Sequence, residues 1–378
     1  MTRNEISVEE LARELENGEI TQVLDVRSPP RVAQGRIEGA AQFRNVPNSR
    51  LFAAPDLGIL DLDSARPVAV VCDRGLSSRA TVEFLRRRGF TRAVSVAGGM
   101  GAWALVVRTR RLAPPPGFDV LLQLDRPAKG SLAYLFVAAE EALLIDPGRN
   151  VDPYFAAIES AGARLVGVAD THCHADYLSS GPWLARELDI PYYLHPTDAV
   201  DPYEGRPARI ASRPLADGQE LALGGATLRV EHFPGHTEGS VVFRTGDAVA
   251  TGDFVFVRGV GRPDLAGKTD EWTGKLWASL ERARATWPDD LRILPAHYAG
   301  ADERAADGTV AGVFGRLRQA NEPLALRDRA AFAEWVQARC GGFPDAYRRI
   351  KQANLGLIEV DPDLAAELET GKSQCAVA

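Results

Sequence analysis

The chain has 378 residues, 45% of them hydrophobic and 25% charged, the mix of a soluble globular protein with room for about two or three domains. A formal net charge of −7 leaves no basic footprint for nucleic acid or an anionic membrane surface. No apolar run approaches the roughly 20 residues that span a bilayer. The polar, acidic start of the sequence resembles neither a signal nor a transit peptide, and the cysteines at 72, 173, 340 and 375 are too scattered for a disulfide framework. A reducing cytoplasm is the expected setting.

In chain order, Ser7 to Glu16 reads as an amphipathic helix with Ser7 and Glu10 forming a capping box. Val23–Val26 and Val68–Cys72 are short apolar runs suited to parallel strands buried on both faces. A helix is predicted over Ser78–Arg88 and another strand over Ala93–Val96. This alternation predicts a small open α/β domain over residues 1–110. Pro114-Pro115-Pro116-Gly117 predicts a linker over 111–117, followed by a second domain at 118–360 and a tail at 361–378. In the second domain, strands over Leu132–Ala138 and Ala142–Ile145 precede helix–strand alternation through Leu194. Strand-like runs return at Leu221–Glu231 and Ser240–Ala250, and helices dominate after Gly312.

Chemistry-bearing residues follow apolar runs at separate points. His172, His174 and Asp176 sit in Thr171-His172-Cys173-His174-Ala175-Asp176-Tyr177, just past a predicted strand. His236 follows Pro234-Gly235, Asp253 ends Thr251-Gly252-Asp253, and His297 ends Leu294-Pro295-Ala296-His297. In order, this set resembles the metallo-β-lactamase superfamily, whose αββα sandwich is the expected fold of the second domain. Two-metal members usually carry a further His where Tyr177 stands, and a phenol is a poor replacement for an imidazole. The sequence therefore favours one metal.

With Arg258-Gly259-Val260-Gly261-Arg262-Pro263-Asp264, the segment is most similar to persulfide dioxygenases. That resemblance implies one Fe(II) per chain, held by His172, His236 and Asp253, with His174, Asp176, Tyr177 and His297 as a supporting shell. Independently, two His and one carboxylate leave positions open for a thiolate-type sulfur and O₂. Arg262 and Tyr298 are candidates for binding an anionic substrate, Arg262 through its guanidinium fork. Cys173, between two metal-type residues, reads as an inert buried thiol.

Val68 to Ser78 places Cys72 between a strand and a helix start, where backbone N–H groups can hold a thiolate or persulfide. Leu24-Asp25-Val26-Arg27, Gly35 to Ala40 and Gly98 to Trp103 resemble a rhodanese domain, a parallel sheet with flanking helices. Ser77 stands where many active members have an Arg, and Arg74 is the candidate replacement. Together the resemblances imply a sulfurtransferase fused to a dioxygenase. The expected partners are glutathione persulfide or a related persulfide, O₂, and thiosulfate or sulfite, with a homo-oligomer allowed. The alternative is a glyoxalase II-like thioester hydrolase with a metal pair and the rhodanese domain as a regulatory or docking module.

Overall fold

The structure is a computed structural model and describes residues 3–377. The chain divides into two compact units, the first ending at Val107 and also taking in Arg126–Lys129 and Thr370–Lys372. In the first unit, five parallel strands lie in the order Glu5–Ile6, Ala93–Val96, Val68–Val71, Gln22–Asp25, Gln42–Asn45. Val68–Val71 is buried at every position and has a neighbour on each side, as a continuous apolar run requires. The first helix spans Val8–Glu16, and Ser7 and Glu10 form the expected reciprocal cap. Asp25 and Arg27, from one of the rhodanese-like stretches, form a buried pair, with Arg27 Nη2 donating to Asp25 Oδ2 at 2.7 Å.

The second unit is a two-sheet sandwich. Its seven-stranded sheet runs Arg213–Pro214, Tyr192–Leu194, Arg164–Ala169, Glu141–Ile145, Ser131–Ala138, Val120–Arg126, Arg108–Leu112. Its six-stranded sheet runs Glu220–Leu223, Ala226–His232, Val241–Thr245, Ala248–Gly252, Arg292–Pro295, Gly312–Val313. Tyr134 and Phe136 from the first sheet meet Leu228, Val230 and Phe243 from the second in a shared core. The helix Thr269–Thr286 covers the outer face of the six-stranded sheet, placing Leu276, Leu280 and Ala283 with Val242 and Val249.

Three sequence expectations change. The prolines at 114–116 do not separate the units, because Arg108–Leu112 already pairs antiparallel with Val120–Arg126 inside the second one. They stiffen the connection between those strands. The run Leu221–Glu231 is two strands, because Gly224 and Gly225 turn the chain at positive φ and a side chain on Gly224 would strike the Ala138 carbonyl. Finally, residues 361–377 of the expected tail are no loose segment. They include the helix Pro362–Leu368 and the strand Ala376–Val377, which pairs with Val260–Gly261.

Candidate metal centre and the Cys72 cradle

Metal-type donors converge at the strand ends of the second unit. His172 follows the strand Arg164–Ala169, Asp253 follows Ala248–Gly252, and His236 lies on the turn after Ala226–His232. Asp253 Oδ2 is 3.4 Å from His236 Nε2 and 3.8 Å from His172 Nε2, and one ligand atom from each residue fits within 4.8 Å of the others. All three side chains are buried, and these three atoms have no hydrogen-bond partner. A buried polar atom left unsatisfied costs about 1–3 kcal/mol. Three such atoms facing one another make a site that fits a cation.

The opposite edge of each donor is engaged. His172 Nδ1 lies 3.0 Å from Thr171 Oγ1, which itself donates to Asp146 Oδ2 at 2.9 Å. The Thr hydroxyl therefore accepts from Nδ1–H, leaving the Nε2 lone pair free. His236 Nδ1 donates to the Arg262 carbonyl at 2.9 Å, with the same result. Asp253 Oδ1 meets His297 Nδ1 at 2.7 Å, while His297 Nε2 reaches Asp176 Oδ2 at 3.0 Å. Burial holds His172 well below the usual imidazole range and pushes His236 down to about 4. Burial would raise Asp253, but His297 outweighs it and keeps the carboxyl below its usual range. Burial also disfavours the His297 cation, yet Asp253 and Asp176 raise this group to about 10. Neutral imidazoles and an ionised carboxylate are the forms that bind metal.

Two glycines allow close approach around the donors. Gly252 sits at positive φ, and a methyl there would strike Thr171 Oγ1; one on Gly261 would strike the Asp253 carbonyl.

His174 points elsewhere. Its Nε2 is 3.1 Å from Asp146 Oδ1 and 3.7 Å from Asp170 Oδ1, and burial notwithstanding, these carboxylates raise it well above the usual imidazole range. Tyr177 stacks on the His174 ring, its hydroxyl 3.0 Å from Nε2 and donating to the Asp146 carbonyl at 3.2 Å. Sequence reasoning missed Asp146 and Asp170, which with His174 form a second buried group of metal-type donors. Their only signal was a carboxylate at the end of each of two neighbouring apolar strands.

Two substrate-binding expectations do not fit the geometry. The Arg262 guanidinium grips Asp264 through Nε at 2.6 Å and Nη2 at 2.7 Å, and also donates to the carbonyls of Gln374 and Gly341. Its fork is filled by its own chain, and its contribution to the site is the carbonyl that orients His236. Tyr298 donates to Asp125 Oδ1 at 2.8 Å and receives Arg304, inside the core of the sandwich. The Cys173 thiol is buried and pushed up to about 12 by that burial, in line with an inert role. Cys375, which has no motif around it, is buried in a cluster with Ala175 and Tyr347.

In the first unit, Cys72 ends the strand Val68–Val71, and Gly75, at positive φ, starts the helix Leu76–Arg86. Gly75 N–H donates to Cys72 Sγ at 3.1 Å, and Ser78 Oγ lies 3.3 Å from it, backed by Ser95 Oγ at 2.9 Å. Burial would raise the thiol, but the Ser77 and Ser78 hydroxyls and loop N–H groups lower it. The loop is clamped from behind by Met100 N–H on the Cys72 carbonyl at 2.9 Å and Gly101 N–H on that of Asp73 at 3.0 Å. Ser77 thus contributes a hydroxyl in place of the expected Arg, while Arg74 is exposed on the rim of the loop.

A rhodanese-like domain model matches residues 7–105, and a metallo-beta-lactamase superfamily model matches 126–304. The chain belongs to the metallo-β-lactamase superfamily and carries a rhodanese domain at its N-terminus. Human mitochondrial persulfide dioxygenase ETHE1 is 34% identical over 190 residues, 48% of this chain and 69% of that one. The structure of ETHE1 from Myxococcus xanthus aligns with a TM-score of 0.53 at 25% identity, covering 63% of this chain and 97% of that one. The probable polyketide biosynthesis zinc-dependent hydrolase BaeB of Bacillus velezensis is 27% identical over 171 residues, 44% of this chain and 73% of that one.

Proposed function

We propose that the second unit is a persulfide dioxygenase with one Fe(II), and that Cys72 carries sulfane sulfur to or from the same low-molecular-weight thiol, glutathione or a close relative. The observation that carries this reading is the donor set. Two neutral imidazoles and one carboxylate converge with free lone pairs, while His174 is held by Asp146 and His297 by Asp176 and Asp253. Such a donor set would leave a bound Fe(II) with positions for a sulfur ligand and O₂. The similarity to human and M. xanthus ETHE1 supports the same substrate class.

Held by His172, His236 and Asp253, Fe(II) would supply the redox chemistry that joins a persulfide sulfur to O₂. The balanced conversion takes persulfide, O₂ and water to sulfite, thiol and two protons. The chain's own residues set the donors for it. Thr171 and the Arg262 carbonyl fix the tautomers of His172 and His236, and His297 holds Asp253 in its ionised form. In the first unit, the Gly75 N–H and the Ser77 and Ser78 hydroxyls stabilise the Cys72 thiolate and would do the same for a persulfide anion. A cytoplasmic location, and thiosulfate or sulfite as further partners of Cys72, belong to the same proposal.

Oxygen uptake by anaerobically iron-loaded protein on adding glutathione persulfide, with sulfite assayed alongside, tests it. Matching uptake and sulfite are expected. The likeness to BaeB keeps a hydrolase as the second reading. Absence of uptake together with hydrolysis of a glutathione thioester would establish that reading instead.

A further inference from the structure

The helix Ala346–Asn354 lies against the metal loop. Asn354 Nδ2 donates to the carbonyls of His174 and Tyr177, each at 2.9 Å. Tyr347 and Ile350 share an apolar cluster with Ala175, and Cys173 Sγ lies 3.9 Å from the Lys351 carbonyl. Tyr347, Ile350, Lys351 and Asn354 recur at helical spacing, so Lys351 sits in the middle of the contacting face.

Lys351 is 1% exposed, which is unusual for lysine. Buried cations are normally paired, and this chain follows that rule elsewhere: Arg27 grips Asp25 and Arg262 grips Asp264. Gln352, the next residue, donates to Asp201 Oδ2 at 3.2 Å. Among the described residues, the Lys351 ammonium has neither a carboxylate within ion-pair distance nor a hydrogen-bond acceptor. Cys173, whose thiol meets the Lys351 carbonyl, stands between His172 and His174, so this helix position faces the loop that carries both. A buried cation without a counter-ion is costly unless an anion arrives to complete it.

We propose that Lys351, on the helix face packed against the His172–Tyr177 loop, is an anion-binding residue, there to hold the charge of a compact sulfur anion. In the dioxygenase reading this anion is the ionised terminal sulfur of the persulfide or the sulfite that leaves. The identity of the anion rests on that reading; the anion site itself does not.

Sulfite is titrated calorimetrically into the zinc-loaded full-length chain, a redox-silent form, with S-methylglutathione as a second probe that has carboxylates but no sulfur anion. Lys351→Met is expected to weaken sulfite binding at least about tenfold while zinc content and S-methylglutathione affinity stay unchanged. Lys351→Arg, which keeps the charge, should remain within about threefold of the parent, and Lys351→Gln replaces the Met variant if that one does not fold. Unchanged sulfite affinity in a zinc-replete Lys351→Met protein overturns the proposal. So does zinc loss in both uncharged variants, which would make the lysine structural. Weakened S-methylglutathione binding with sulfite spared also overturns it, by placing Lys351 at the carrier's carboxylates. Lys351-dependent sulfite binding in a protein whose iron form takes up no oxygen would sink the dioxygenase alone.

Discussion

The metal centre and the Cys72 cradle are built in opposite ways. His172, His236 and Asp253 come from separate strand ends; His236 and Asp253 are oriented by partners from elsewhere in the unit, the Arg262 carbonyl and His297 with Asp176, and His172 by its neighbour Thr171, itself held by Asp146. Cys72 is served mainly by residues three to six positions away, through one continuous strand, loop and helix. The first site exists only when the sandwich is complete. The second needs little more than a correctly clamped turn. Damage should therefore spread through the metal centre and stay local around the cysteine.

The sharpest break is Asp253→Ala. It should abolish metal retention, measured by elemental analysis, and reduce oxygen uptake to background while leaving alkylation of Cys72 unchanged. Cys72→Ser should do the reverse, removing sulfur transfer and leaving uptake within about twofold. Equal loss of both activities in either variant would defeat the comparison. Asp176→Asn releases one side of His297 and should weaken metal affinity about 10- to 100-fold in a chelator competition.

A pH series on the metal-free chain sharpens the contrast further. His297 is raised to about 10 from an unfolded value near 6.5, so the stability it adds is fully present below about pH 6.5 and is lost as pH rises through about 10. Asp253 is lowered, so its contribution is present above the ordinary carboxylate range and is lost as pH falls below it. The Tm of the metal-bearing unit should therefore fall on both sides, and His297→Gln should remove the alkaline limb. Smallest of all, Ser78→Ala should slow iodoacetamide alkylation of Cys72 near neutral pH by about two- to fivefold, since one of several stabilising groups is lost.

That His172, His236 and Asp253 come together could be read from sequence because a loop at a strand's carboxyl end is a recognisable address. Asp146 and Asp170 share that address but looked like ordinary turn acids, and only the folded sheet puts them on His174. Arg262 and Tyr298 were misjudged for a physical reason. A charge or phenol near a ligand is available to substrate only if the chain leaves it unpaired, and Asp264 and Asp125 take these two. Lys351 shows the reverse failure. In Arg348-Arg349-Ile350-Lys351 nothing distinguishes the lysine that faces inward from the arginines beside it, because burial of one helical position depends on what the helix lies against. The linker was misplaced because proline stiffness marks a turn as readily as a boundary, and pairing of the flanking strands decides which.

The glycines at 252 and 261 bring backbone directly against Thr171 and Asp253. Main chain at Gly261 thus presses on the Asp253 carbonyl and the His236 side chain, and main chain at Gly252 on the Thr171 side chain, so the donors have little room to spread. A cage of that kind would discriminate by ionic radius as well as by donor chemistry: admitting a larger cation such as Ca²⁺ would mean prying strand ends apart, whereas first-row transition ions differ too little in size to be told apart this way.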